Sequence, residues 1–205
     1  MPNWCNTSYK VTGEKEKVEG LLSVLKELKA MPDPGLRENG FGSNWLGNVV
    51  IKMGGDPDEH FSRGEWFFDD DAVPIKEGVL SLTVLSAWQE MAEWRRFVEK
   101  AFSVRIYYLA EEMGNDIFVT NDRERRFFHD EWYLSYSSDE SEDGESYDYY
   151  DSLESLLAAV GALTGKEGIG SVEESRESLA EWEKGDSARS FRLVALSLEE
   201  TPCNS

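Results

Sequence analysis

Residues 4–11 alternate, with Cys5, Thr7, Tyr9 and Val11 on one side and Trp4, Asn6, Ser8 and Lys10 on the other. A period of two predicts a half-buried strand, which Thr12-Gly13 ends. The period then changes. Val18, Leu21, Leu22, Leu25 and Leu28 recur at helical spacing, so a helix is expected over about 14–31. Two Pro and three Gly mark 32–43 as loop. Asn44 is a candidate cap for a short helix striped by Trp45, Leu46, Val49, Val50 and Met53, which Gly54 ends. A strand is expected within 65–76, interrupted by Asp69-Asp70-Asp71 and Pro74. Its partner alternates Leu80, Leu82 and Val84 with Ser81 and Thr83, and Lys76-Glu77-Gly78 supplies the turn.

Further along, Ser86-x-x-Gln89 predicts a capping box for a helix to about Phe102, with Trp88, Met91, Trp94, Val98 and Phe102 on its buried side. Residues 104–110 predict a strand, bounded by Glu111-Glu112-Met113-Gly114. Two more are expected at 116–120 and 127–136, around the polar turn 121–125. Asp151-x-x-Glu154 and Ser171-x-x-Glu174 each predict a helix start. The first of these helices carries Leu153, Leu156, Leu157, Val160 and Leu163, and the second Val172, Leu179 and Trp182. A strand at 191–198 closes the chain. No internal repeat is present.

The order β-α-(α)-β-β-α-β predicts an α+β fold of ferredoxin-like type, an antiparallel split β-α-β sheet with strand order 4-1-3-2. Strand two then falls at an edge, where Pro74 and the three Asp are tolerated. Residues 1–125 form the expected core, and 126–205 an acidic α/β extension with extra strands and two helices. Two helices and one strand are slim for an independent core, so the last strand is expected to join the main sheet and make one domain.

Several short segments bear on family. Met1-Pro2-Asn3-Trp4-Cys5, Trp45-Leu46-Gly47, Arg63-Gly64-Glu65-Trp66, Ser86-Ala87-Trp88 and Glu111-Glu112-x-Gly114 resemble the YubB ferredoxin-like domain family, found in phage, plasmid and other mobile-element proteins of bacteria. The resemblance covers about residues 1–125. Many relatives carry Asn two places after the Cys and Ser-Pro after the third-strand Trp, where this chain has Thr7 and Gln89-Glu90. The resemblance implies the fold and a cytoplasmic setting, and no particular reaction.

Charge narrows the function classes. The chain has 205 residues and a formal net charge of −20, from 41 acids against 21 bases. Residues 127–205 hold 19 acids and 5 bases, and 130–154 hold ten acids with no base. Phosphate-backbone binding needs clustered Lys and Arg, so direct nucleic-acid binding is not expected. The open sheet face is expected to present Asn6, Ser8 and Lys10 beside Ser81 and Thr83, with few rings for bases to stack on. Cys5 and Cys203 are expected to be reduced thiols, and His60 and His129 to be surface groups. No opening leader pattern and no long apolar stretch is present, so no membrane association is expected. No cofactor is implied.

In the predicted topology, the starts of strands one and two meet the ends of strands three and four at one end of the sheet. Asn3, Trp4, Arg63, Glu65, Trp66, Trp88, Glu111 and Glu112 would then gather there as a ligand pocket of rings and polar groups. The expected function is a non-catalytic binding module for a protein partner or small ligand, acting through this pocket or the acidic C-terminal surface. An acid/base or metal-dependent enzyme using Glu65, Glu111 and Glu112 is the alternative, and a structural assembler joined through a sheet edge is a third. Asp139-x-Ser141-x-Asp143-Gly144-Glu145 resembles half a calcium loop, with Tyr150 where the twelfth-position Glu belongs. Loss of Met1 would expose the Pro2 amine as a base.

Overall fold

The N-terminal alternation becomes strand β1 (Trp4–Thr12), whose core-facing residues Cys5, Thr7, Tyr9 and Val11 have no solvent exposure. A computed structural model describes residues 3–68, 75–76, 78–138 and 146–199, and its architecture is α+β. Helix α1 (Lys15–Lys29) buries the five apolar positions of its stripe, Val18, Leu21, Leu22, Leu25 and Leu28. Each contributes about 1.5–3 kcal/mol by leaving water. Helix α2 (Leu46–Lys52) follows the 32–45 loop, and strand β2 is Gly64–Phe67. The two-residue β3 (Ile75–Lys76) precedes the long β4 (Val79–Ala87), then come helix α3 (Ala92–Phe102), strand β5 (Arg105–Glu112) and strand β6 (Ile117–Thr120). Residues 69–74, with the Asp triplet and Pro74, lie outside the described residues, as does Glu77 of the expected turn.

The strands of residues 1–127 lie in the order β6-β5-β1-β4-β2, each antiparallel to its neighbours, with β3 also paired to β4. Strand β1 is central. It pairs with β4 from Trp4↔Ala87 to Thr12↔Val79 and with β5 from Asn6↔Glu111 to Thr12↔Arg105. The three helices supply the rest of one core, in which Trp66, Trp94, Tyr9, Leu21, Leu25 and Leu28 are fully buried. Buried Asn121 prolongs the pairing of β6 with β5: its side chain accepts from Tyr108 N and donates to Ile106 O.

A polar network runs through this core. The buried Glu90 carboxylate accepts from the Tyr9 hydroxyl at 2.5 Å and from Arg95 Nε at 3.0 Å. Arg95 also lies 3.8 Å from Glu99 and has its guanidinium over the Tyr108 ring, 4.8 Å from the centroid. Glu99 in turn accepts from Ile106 N, so β1, α3 and β5 are joined through charged groups. Burial, reinforced by the Glu90 charge, holds the Tyr9 hydroxyl far above its ordinary pKa.

Three expected starts move. Asn44 does not cap α2; its carbonyl accepts from Trp66 N, and Trp45 occupies the cap position. Ser86 does not open α3, because it is still in the β4 ladder opposite Cys5 and Gly64. Its hydroxyl instead donates to Gln89 O at 2.7 Å and fastens the turn that precedes the helix. Trp88 accordingly leaves the helix face and stands 47% exposed. Met53, at the end of the α2 stripe, is exposed too. Ser152 rather than Asp151 caps the fourth helix, because its hydroxyl reaches Ser155 N.

Residues 128–205 form the second compact unit. Strand β7 (Trp132–Ser137) lies between β8 (Ser146–Tyr150) and β9 (Ser190–Ala195), antiparallel to both. Two helices, α4 (Leu153–Thr164) and α5 (Val172–Lys184), bury Leu156, Val160 and Leu179 with Leu134 and Leu193. Leu153 is exposed, and Leu157 and Leu163 are half-buried. At Ser171 the expected cap forms: its hydroxyl accepts from Glu174 N, and the Glu174 carboxylate accepts from Gly170 N. Strand β8 was hidden within the acidic stretch, yet its Tyr150 pairs opposite Trp132 and packs on this core.

Removing Arg95 leaves Glu90 charged and buried, so Arg95→Met should cost about 3–5 kcal/mol in urea unfolding. Adding Glu90→Gln should recover much of that loss. A single-variant cost under about 1 kcal/mol would show that the network carries little of the stability.

Candidate functional site

The end of the sheet gathers some of the expected residues and separates others. Register places Trp4 beside Ala87, and Ala87 N donates to Arg63 O at 3.1 Å. Trp88 N donates to Asn3 O at 2.9 Å. Asn3, Trp4, Arg63 and Trp88 therefore meet at one rim. Asn3 also reaches the far side, because a Cβ at Gly114 would collide with its side-chain amide. Any larger residue at 114 would push the Asn3 side chain away. Glu112 lies on the same side, buried, and both its oxygens are engaged, one by Gly114 N at 2.7 Å and one by the Asn115 side chain.

Trp66, Glu65 and Glu111 do not join this rim. Trp66 is fully buried on the core face, stacked on Phe68 with its indole N–H lacking an acceptor among the described residues. Glu65 and Glu111 share the open face of the sheet, in the row Glu65–Leu85–Asn6–Glu111. Three strand spacings separate them, about 14 Å. Glu112 points to the opposite face. Carboxylate pairs that share a reaction centre sit about 5–9.5 Å apart. These three do not. Burial raises the Glu65 carboxyl above its ordinary pKa, and no cation pairs with it among the described residues.

The concavity beside the rim comes from a loop. Residues 33–45 and 57–63 enclose a groove of about 420 Å³, with Arg37, Phe41, Trp45, Asp58, Phe61 and Arg63 on its walls. Trp4 adjoins it, its ring meeting Phe41 edge-on with centroids 6.1 Å apart. Fully buried Asn48 organises the loop: its side chain accepts from Leu36 N and donates to Pro34 O, Gly42 O and Ser43 O. Asn39 ties the inner turn through Pro34 O, Arg37 O and Phe41 N. Trp45 is fixed by its indole N–H to Ser62 O at 2.6 Å and lies over Gly47, where any Cβ would strike its ring. The walls are preformed.

The rim is polarised. Arg37 pairs with Asp58 at 3.0 Å, whereas Arg63 has no acidic partner among the described residues. Phe61 and Trp88 hold positive φ of 36° and 74°, conformations that bulky side chains rarely adopt, and Phe61 is 61% exposed. Backbone strain of this kind concentrates at binding and switch sites. No family model, curated protein or solved structure matches the chain. The reading of the site therefore rests on its own geometry.

Arg37, Phe41, Trp45 and Phe61 were absent from the expected site. Their signal was faint: an Asn-, Gly- and Pro-rich loop around Asn39, Asn44 and Asn48, too irregular to fold by pattern alone. Elsewhere, His60 packs against Phe97 with ring centroids 4.6 Å apart, and His129 is exposed. Burial pushes the Cys5 thiol up to about 11, which makes it a poor nucleophile at neutral pH. Among the described residues no group of three or more His, Cys, Asp or Glu could hold a metal. The calcium-like segment 139–145, Pro2 and Cys203 lie outside the described residues.

Two outcomes follow from these environments. Asn48→Ala removes four hydrogen bonds to loop backbone, leaving Leu36 N and Ser43 O without that partner while Pro34 O keeps Asn39 and Gly42 O keeps Trp45 N, and should cost on the order of 3 kcal/mol. It should also loosen Trp45, read as a red-shifted tryptophan emission; unchanged stability and emission would remove Asn48 as organiser of the groove. Glu65 has a raised folded pKa, so its protonated form favours folding and that contribution is lost as pH rises through the folded pKa. Glu65→Gln should therefore raise Tm at pH 7 and leave it unchanged near pH 3, measured by calorimetry.

Proposed function

We propose that this chain is a non-catalytic binding module that takes its ligand in the groove at the sheet end. We assign its first unit to the ferredoxin-like class and to the mobile-element family that its motifs resemble, acting in the cytoplasm. Support for the class comes from the order β5-β1-β4-β2, fourth, first, third and second of the core strands. Among the described residues, no helix is long and apolar enough to cross a membrane.

One observation carries the reading: a preformed groove bounded by rings and two arginines, beside exposed aromatics whose backbone is strained. Aromatic side chains and Arg are the types that dominate binding energy at recognition surfaces. The enzyme alternative has less support, because Glu65, Glu111 and Glu112 do not converge and Glu112 is committed to a turn. The acidic second unit could act as a separate surface toward a basic protein, by charge complementarity rather than by fit to a pocket.

Ligand-observed NMR against a mixed library of metabolites and short peptides tests the groove. Binding is expected for the wild type and at least tenfold weaker for Phe61→Ser/Trp88→Ser. Both side chains are exposed, so the variant should stay folded. Hits that the variant retains at full affinity, or no hits at all, would overturn the proposal.

A further inference from the structure

We infer that the ligand of this groove is a planar aromatic ring carrying an oxyanion, phosphate or carboxylate. The inference rests on the groove being a binding site and adds its chemistry. The volume, about 420 Å³, is that of a small-molecule site rather than of a macromolecular surface. Phe41, Trp45 and Phe61 present ring surface for stacking, and Phe61 stands 61% exposed in a left-handed conformation. Such rings in a concave wall match a flat apolar body better than a branched one.

The charged end of the ligand follows from the arginines. The chain carries −20 overall, so its long-range field repels anions. A bound anion therefore needs a local cation, and most side chains able to supply one are outnumbered by acids. Arg63 sits on the groove wall with no acidic partner among the described residues. Arg37, which also lines the groove, gives one N–H to Asp58, and its guanidinium has further donors. Among the described residues no lysine lines the groove. Guanidinium forks bind carboxylate or phosphate through two parallel hydrogen bonds, which a lysine cannot do. Asp58 orients Arg37 and, with Glu38 nearby, disfavours a second negative group deeper in the loop.

Titration calorimetry on the full chain tests this with four probes: adenosine 5′-monophosphate, adenosine, inorganic phosphate and indole-3-acetate. A ring with its anion should bind at least about tenfold more tightly than adenosine or inorganic phosphate alone, and Arg63→Gln should remove that advantage. Affinity should fall with added salt. Binding of either ring-anion sustains the inference, and binding of both shows that the groove accepts phosphate and carboxylate alike. Adenosine matching its monophosphate, neither ring-anion binding, or Arg63→Gln keeping full affinity would each overturn the inference. If Phe61-dependent ligands from the library are uncharged, the groove stands and only this chemistry falls. If no ligand depends on Phe61, both fall together.

Discussion

The placement of everything at the sheet end depends on the burial of one face of β1 between β4 and β5. Cys5, Thr7, Tyr9 and Val11 are sealed in the core, and a slip of one residue would turn all four to solvent. That constraint fixes the register on both sides at once. It sets Trp4 beside Ala87, brings the Arg63 carbonyl to Ala87 N, and carries Asn3 to Gly114. The rim is thus a consequence of core packing two to eight residues along the chain from Asn3.

Buried polar groups do different work in two places. In the core, Glu90 gathers Tyr9 and Arg95, and Glu99 ties the same helix to β5. Apolar residues could fill that space with equal or better stability, whereas breaking this network by removing one partner leaves a buried charge uncompensated. In the 33–45 loop there is little apolar material to collapse. Asn48 and Asn39 replace it with side-chain hydrogen bonds to loop backbone, and a defined wall results. A wall ordered beforehand binds without the entropic loss of ordering on contact.

Electrostatics separates the two units in character. The acids of residues 127–205 far outnumber the bases, which suits solubility and contact with a basic surface. The groove of the first unit is different: two arginines and several rings stand beside Glu38 and Asp58, a balanced lining where the chain as a whole is strongly negative. A local cation in a repelling field selects ligands that come close enough to form direct hydrogen bonds. Distance weakens the attraction, and salt weakens it further.

By itself the sequence determined the α+β class, the faces of β1 and α1, the buried stripe of α3 and the Ser171 cap, because each depends on a local period or a four-residue contact. It also pointed to Asn3, Trp4, Arg63 and Trp88 as neighbours. Tertiary structure alone decided the rest. Whether Ser86 caps a helix or stays in a ladder was settled by competition with β1 and β2, which no local pattern contains. Trp66 lies on the core face and Glu65 on the open face through strand alternation, so adjacent residues of one motif parted. The acidic count around β8 hid a strand whose stability comes from pairing with β7. The groove itself is built by hydrogen bonds from Asn48 to residues 5–14 positions away, and spacing of that irregular kind acquires meaning only once the chain has folded around it.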